Sequence, residues 1–252
     1  MTEREQVKEI PRLTATMEPF DSFWEAPKDI EKGFDSFGKF YRHNYLRHLP
    51  GNREAKILVI SCGFGYFVHL LKAVGYTAVS GIDSDPEKVR IAREKGLNCG
   101  VESAFAFLGN HPGPYDAIIA EQEINHLTKA EILRFLDLCG KNLVTGGTLL
   151  VHSLNGANPV TGSEALAQNF DHYNTFTEYS LRQILEHTGF GEVKVFPLNL
   201  YVFYGNPLNY VALLADRINT LIFRINFILY GKHNRIFTKK IAAVARKKVA
   251  AG

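Results

Sequence analysis

Two glycines that follow a short apolar run are the residues expected where a ligand lies against the backbone. Residues 57–60 are four consecutive aliphatic residues, which is typical of a strand buried on both faces. Gly63 and Gly65 follow, and because glycine has no Cβ, a ligand can approach the main chain closely there. From Tyr66 onward the apolar residues recur at helical spacing, so we expect the N–H groups of a new helix to face the same ligand.

An aspartate at the end of the next apolar run completes this unit. Asp83 comes twenty residues after Gly63, where a carboxylate can accept hydrogen bonds from both hydroxyls of a ribose. A plain βαβ turn with an acid after its second strand is the alternative. The order strand, glycine turn, helix, strand and acid favours a cofactor that contains a nucleoside.

The residue at the third position of the glycine motif indicates the size of that cofactor. Folds that bind dinucleotides use a third small residue to bring helix and strand together, and here Val68 stands in its place. A smaller adenosyl ligand therefore suits the turn better than NAD. The segment VISCGFG resembles the glycine-rich first motif of the class I S-adenosylmethionine-dependent methyltransferases, and GIDSDP resembles their ribose-binding second motif.

The resemblance implies S-adenosyl-L-methionine as cofactor, S-adenosyl-L-homocysteine as product and a set of contact positions along the chain. Glu102 matches the acid that receives the adenine amino group, with a solvated loop acid as the alternative, and Gln122 matches the acid of a family segment that ends in His126. The full set of expected cofactor contacts is Ser61, Cys62, Gly63, Gly65, Asp83, Ser84, Glu102, Ser103, Ala104, Glu121 and Gln122.

The chain departs from the family pattern at two positions. The acid that is usual in the first strand is Val59, and the first glycine of the motif is Ser61. In the family that acid commonly helps to hold the methionine amino group. Its absence either weakens cofactor binding or is offset by another group such as Glu121.

Three histidines follow predicted strand ends and are candidates for a general base. A sulfonium methyl group is already activated, so the protein has to align donor and acceptor, whereas an alcohol acceptor also has to lose its proton. Among His126, His152 and His172 we predict that His126 or His172 is this base, with His126 favoured; a structural role is the alternative for each. No histidine, cysteine or acid spacing matches a tight ligand set, so we predict no metal.

The pattern of the whole chain predicts an α/β protein with a Rossmann-like, seven-stranded, mostly parallel sheet, the methyltransferase fold. Residues 51–252 form the methyltransferase domain, with the last strand at residues 241–246 and a helical insertion at about residues 200–236 before it. Residues 1–50 are an aromatic-rich helical lead-in, which either packs on the domain or forms a lid. Tyr41, Arg42, Asn155 and Asp171 are the candidate substrate contacts.

Apolar residues recur every three or four positions along the insertion. Asp216, Arg217 and Arg224 interrupt the run, which argues against a membrane span. A helix packed on the domain, a homodimer contact, and a membrane-surface helix beside the basic tail are the three interpretations left open.

Charge and cysteine usage limit the partners and the compartment. The net charge is +3, but residues 231–252 contain seven Lys and Arg and no acid, whereas the rest has 22 Lys and Arg against 26 Asp and Glu. This local basicity gives no evidence of a nucleic-acid-binding body. The three cysteines show no CxxC spacing and the N-terminus is too charged for a secretory signal, so we predict a cytoplasmic protein.

Three functions remain. Residues 169–190 resemble a segment of methyltransferases associated with polysaccharide genes, which predicts O-methylation of a hydroxyl on a glycan or a sugar-containing intermediate. The apolar insertion favours a small metabolite, quinone or lipid as acceptor instead. Val59 and Ser61 favour a non-catalytic binding protein that kept the fold.

Overall fold

The computed structural model describes residues 29–111, 113–121, 123–167, 170, 172–198 and 208–248. In these residues one seven-stranded sheet has the order β3-β2-β1-β4-β5-β7-β6. The strands are β1 Ile57–Ile60, β2 Val79–Asp83, β3 Cys99–Val101, β4 Tyr115–Ala120, β5 Leu143–Leu154, β6 Phe190–Leu198 and β7 Lys240–Lys247. Strands β1 to β5 pair in parallel, and β7 runs antiparallel to both β5 and β6. The predicted fold class is confirmed.

Eight helices accompany the described strands. They are α1 Ile30–Asn44, α2 Tyr66–Ala73, α3 Pro86–Glu94, α4 Ala104–Asn110, α5 Lys129–Asn142, α6 Gly162–Ala167, α7 Glu178–His187 and α8 Leu208–Leu229. The polar character of residues 156–169 predicts a loop, and this is wrong at α6, whose six residues are too few to show a helical period. The apolar run after Gly146 and Gly147 predicts a strand at residues 148–151, and β5 is longer than this. It already pairs with β4 at Leu143 and resumes after an irregularity at Thr148.

The two faces of the central strands pack against different helices. Ile57 and Val59 point to the side of α1, α2 and α3, whereas Leu58 and Ile60 point to the side of α4, α5 and α7. All four residues of β1 are buried, as the uninterrupted aliphatic run predicts. The sheet order reverses between β1 and β4, and ligands of open α/β sheets bind at the carboxyl ends of the strands beside such a point.

The lead-in and the insertion both lie near this end of the sheet. Helix α1 begins after Asp29, whose carboxylate accepts hydrogen bonds from the N–H groups of Glu31 and Lys32. The helix packs on α2 along its length, from Phe34 against Tyr66 to Tyr41 against Phe67. Helix α8 belongs to the connection from the end of β6 to the start of β7. Because β6 is parallel to β5, this connection starts at the carboxyl end of the parallel strands.

Candidate active site

The turn after β1 is open in front of Gly63. This residue has a φ of +52°, and a Cβ built on it would meet no atom within 4 Å. Its N–H donates to Oδ2 of Asp83 at 2.8 Å. The open space agrees with the predicted approach of a ligand to this backbone.

Gly65 is required for a different reason than the sequence suggests. A Cβ there would lie 2.6 Å from Cδ1 of Leu97, and the residue has a φ of +80°. Its lack of a side chain therefore lets the turn pack on the segment after α3. The small residue between helix α2 and the sheet lies on the strand: a Cβ on Gly81 would come within 2.9 Å of Val68.

Asp83 faces the glycine turn from the end of β2. Its Oδ2 accepts from Gly63 and its Oδ1 accepts from the N–H of Asp85 at 2.9 Å. Each carboxylate oxygen accepts more than one hydrogen bond, so both remain available to ribose hydroxyls. The neighbouring Ser84 is exposed.

The other predicted cofactor contacts near this corner contact neighbouring protein groups. A hydrogen bond with Cys99 and, after it, burial raise the pKa of the Cys62 thiol, so this side chain stays protonated and packs inward. Glu102 follows β3, with its carboxylate 3.6 Å from Nε2 of His111. The Ser103 hydroxyl accepts from the N–H of Ala106 as the N-cap of α4, and Ala104 is the buried first residue of that helix.

A buried tyrosine–glutamate pair joins α1 to the end of β4. The Tyr41 hydroxyl donates to Oε2 of Glu121 at 2.9 Å, and the Tyr41 ring stacks on Phe67 with 4.5 Å between centroids. Burial raises the pKa of the Glu121 carboxyl to about 7, while the Tyr41 hydrogen bond and Lys240 act in the opposite direction. Burial also holds the pKa of Tyr41 well above its usual range, so its hydroxyl keeps its proton.

One oxygen of this glutamate is available to a ligand. Oε1 of Glu121 is buried and has no hydrogen-bond partner among the described residues. Such an atom is costly unless a donor reaches it. A ligand ammonium group would satisfy it, so Glu121 fits the function of the acid that Val59 replaces.

The two histidines favoured by the sequence lie side by side. The rings of His126 and His172 are 4.8 Å apart and inclined by 63°. Asn125, which sequence reasoning missed, connects the segments that carry them. Its main-chain carbonyl accepts from the N–H of Tyr173 at 2.9 Å, and its Oδ1 accepts from the N–H of Leu154 at 3.2 Å. The signal in the sequence was that Asn125 and His126 are two polar residues between the apolar Ile124 and Leu127 in the loop after β4.

Hydrogen bonding assigns the tautomer of His172. Its Nδ1 lies 2.6 Å from the carbonyl oxygen of Ala165, and because a carbonyl only accepts, Nδ1 carries the proton. In the neutral ring Nε2 then holds the lone pair. His152, the third candidate, is instead buried with its Nδ1 3.0 Å from the Tyr45 hydroxyl, and burial holds its pKa well below the usual range.

The remaining predicted contacts divide into three groups. Arg42 is exposed on α1, next to the buried Tyr41. The buried Asn155 donates to the carbonyl oxygens of Ile236 and Thr238 at 3.1 and 2.8 Å, which favours a structural function over the predicted substrate contact. Asp171 and Gln122 lie outside the described residues.

The described residues contain neither a metal-ligand cluster nor a helix that could span a membrane. In the described ranges, no three His, Cys, Asp or Glu side chains are grouped so as to hold a metal ion. In the same ranges, no helix has both the length and the apolar character needed to cross a bilayer.

Curated relatives share part of their length with this chain. It is 28% identical over 142 residues to the ubiquinone biosynthesis O-methyltransferase of Xylella fastidiosa (strain M23), with 54% of this chain and 56% of that protein aligned. It is 30% identical over 106 residues to the protein of the same name from Caulobacter sp. (strain K31), with 40% of this chain and 41% of that protein aligned. The chain thus spans about half the length of the curated relatives it matches.

Solved structures share the fold. A SAM-dependent methyltransferase from Archaeoglobus fulgidus superposes with a TM-score of 0.64 at 19% identity, over 85% of this chain and 94% of that chain. Haemonchus contortus phosphoethanolamine N-methyltransferase 2, in complex with S-adenosyl-L-methionine, gives a TM-score of 0.55 at 14% identity, over 87% of this chain and 57% of that chain.

A family model covers most of the sheet and the candidate site. The model, described as a methyltransferase domain, matches residues 34–195, which extend from within α1 to within β6 and include the glycine turn, Asp83, Glu121 and both histidines. Since this match spans more than half of the chain and the fold agrees with it, the chain belongs to the methyltransferase-domain family.

Proposed function

We propose that this protein is an S-adenosylmethionine-dependent O-methyltransferase that acts on a hydroxyl group. The observation that carries the proposal is the contact between His126 and His172 after β4 and β5, with the proton of His172 on Nδ1. A hydroxyl attacks poorly while it is protonated, and a histidine with a lone pair on Nε2 is suited to remove that proton.

The cofactor side of the proposal rests on three groups. Gly63 leaves its backbone open, Asp83 accepts from the ribose hydroxyls, and the buried Oε1 of Glu121 accepts from the methionine ammonium. S-adenosylmethionine supplies an activated methyl group, so the protein needs only to hold donor and acceptor in line. Nε2 of His172 would take the hydroxyl proton as the oxygen–methyl bond forms and the sulfur–methyl bond breaks, which would leave S-adenosylhomocysteine as the product.

A quinone-type phenol or a lipid is the acceptor class that we favour. The relatives named ubiquinone biosynthesis O-methyltransferase support a phenolic or lipid-like acceptor. The glycan interpretation rests on the likeness of residues 169–190 alone. Because a phenol is more acidic than a sugar hydroxyl, a single neutral histidine is also a better match for it.

Turnover with a labelled methyl donor tests the reaction and the acceptor together. We expect label in a catechol or quinol with an isoprenoid tail and none in mono- or oligosaccharides; the reverse result would favour the glycan alternative. His172→Ala should lower kcat about 100-fold or more, because general-base catalysis contributes at least that much. His187→Ala, a change of the same type at an exposed position on α7, is the control and should retain full activity.

If no acceptor is methylated, calorimetry separates a protein that has lost cofactor binding from an enzyme whose acceptor was not among the compounds tested. We expect S-adenosylmethionine to bind at sub-millimolar concentration without acceptor. If it does not bind, the protein has kept the fold and lost the cofactor. Full turnover by His172→Ala would exclude the proposed base.

A further inference from the structure

Helix α8 exposes an apolar face on the side that points away from the protein. Six of its aliphatic side chains are 51–63% exposed: Val211, Leu214, Ile218, Leu221, Ile225 and Ile228. At helical periodicity these residues fall in one stripe about 100° wide, which we call the apolar face. Its other side contacts the protein through Phe223 and Phe227, whose rings lie 6.0 and 4.8 Å from that of Phe237.

The orientation of α8 is the reverse of that of an ordinary surface helix. Such a helix normally turns its apolar stripe to the core and its polar residues to water. Here the 22 residues of α8 extend about 33 Å with the stripe in solvent. An exposed apolar surface of this extent indicates a contact with another surface.

The charges around the apolar face indicate what kind of surface it contacts. Arg217 and Arg224 are exposed and border the stripe on one side, and the exposed Lys232 follows the helix. Asp216 is the single acid among residues 199–252, which contain nine Lys and Arg. Asp216 lies on the side of α8 that faces the protein, and burial raises the pKa of its carboxyl. The exposed flank of the described helix is therefore cationic.

The position of α8 connects it to the candidate site. Asn158 donates to the carbonyl oxygen of Phe237 at 2.6 Å, and Asn155 donates to the carbonyls on either side of that residue. These two asparagines follow β5 at the same end of the sheet as Glu121. The segment that anchors α8 thus packs on the strand end beside the site.

We propose that α8 binds the surface of an anionic membrane, with its apolar face between the acyl chains and Arg217 and Arg224 among the headgroups. Apolar and cationic residues side by side on one helix are suited to this interface. A symmetric contact between two copies fits less well, because it gathers the arginines of both copies along one seam, and Asp216, the single acid of residues 199–252, faces the protein and does not pair with them. Membrane binding does not depend on the identity of the methyl acceptor.

Vesicle sedimentation of the full chain, without cofactor or acceptor, tests the proposal. We expect binding to phosphatidylcholine vesicles that contain about 30% phosphatidylserine to exceed binding to pure phosphatidylcholine about tenfold, and to weaken as salt is raised. Ile218→Glu should reduce binding at least about tenfold, because it places a carboxylate in the middle of the apolar face. Leu133→Glu is the matched control, since Leu133 is an exposed leucine on α5 and its replacement should leave binding unchanged.

Two further measurements separate the alternatives. The double variant Arg217→Gln and Arg224→Gln should lose most of the preference for anionic over neutral vesicles. Unchanged circular dichroism and unchanged binding of S-adenosylmethionine by Ile218→Glu would show that the variant is folded. Equal binding of Ile218→Glu and the wild-type chain would overturn the proposal. The proposal would also be overturned if the wild-type chain bound no vesicles and formed instead a dimer that Ile218→Glu dissociates.

Discussion

The corner between β1 and β2 and the region beyond β4 and β5 are the two halves of the candidate site, and they are built differently. In the first, every group comes from one continuous unit, with the Gly63 N–H on the Asp83 carboxylate. In the second, Tyr41, Glu121, His126 and His172 come from separate segments that long-range hydrogen bonds hold together. A change in the first half should therefore act on cofactor binding. In the second half, a change at the Tyr41–Glu121 pair should also act on cofactor binding, whereas one beside the two histidines should act on turnover.

The largest effect is expected for Asp83→Ala. The variant loses the acceptor for the ribose hydroxyls and the partner of the Gly63 N–H, and hydrogen bonds to a charged group contribute about 1.5–3 kcal/mol each. We expect the Kd for S-adenosylmethionine to rise at least about 100-fold in calorimetry. Asp137→Ala removes an exposed acid of α5 and should leave Kd unchanged.

Alanine substitutions at the two glycines of the turn should separate an effect on stability from an effect on cofactor binding. Gly65→Ala places a Cβ 2.6 Å from Leu97 at positive φ, so we expect the free energy of unfolding to fall by about 2–3 kcal/mol in urea titrations. Gly63→Ala meets only the strain of positive φ, about 1 kcal/mol, but its methyl enters the open space of the ligand. If Gly63→Ala bound the cofactor normally, the ligand would not lie against this backbone.

Asn125→Ala should affect turnover and spare the cofactor. The change leaves the buried Leu154 N–H without its Asn125 acceptor and the Ser153 hydroxyl with the Leu154 carbonyl alone. It loosens the loop that carries His126, and with it the Asn125 carbonyl that accepts from Tyr173 beside His172. We expect kcat to fall about tenfold with Kd for S-adenosylmethionine within about twofold of the wild-type value. A rise in Kd as large as the fall in kcat would contradict the division of the site into two halves.

The smallest and most specific effect is expected for Tyr41→Phe. Its hydroxyl favours the ionised form of Glu121, so removing it should raise the pKa of that carboxyl further above about 7. Because an ammonium pairs with the ionised form, cofactor affinity should rise with pH through this range, and Tyr41→Phe should shift the rise to higher pH. We expect a Kd about threefold to tenfold higher at pH 7 and close to wild type at pH 9.

The same carboxyl affects stability in the opposite direction. Its folded-state pKa lies above the unfolded value of about 4.3, so the stability it contributes is complete below that value and is lost as the pH rises through about 7. Melting temperatures of the cofactor-free protein should reveal this loss, and Glu121→Gln should remove it. Equal pH profiles for Glu121→Gln and wild type would show that Glu121 is not the group responsible.

The sequence by itself determined the family, the fold class and the β1–β2 corner. A strand, a glycine turn and a helix each have a period or a residue type that acts over a few neighbours, and the spacing of Gly63 and Asp83 follows from one βαβ unit. Helix ends depend on equally local contacts: Thr128 and Glu131 form a capping box at the start of α5, and Gly75 follows α2 at positive φ.

Tertiary structure alone decided which polar residues meet beyond β4 and β5. Glu121 contacts a tyrosine 80 residues away, Asn155 is committed to the segment around Phe237, and the tautomer of His172 depends on a carbonyl of α6, a helix too short to be predicted. The outward direction of the apolar face on α8 could also not be predicted from the sequence. Periodicity shows that the apolar residues share one side of the helix, but not whether that side faces the protein or solvent. These contacts depend on strand order and on packing between distant segments, whereas sequence patterns report local conformation.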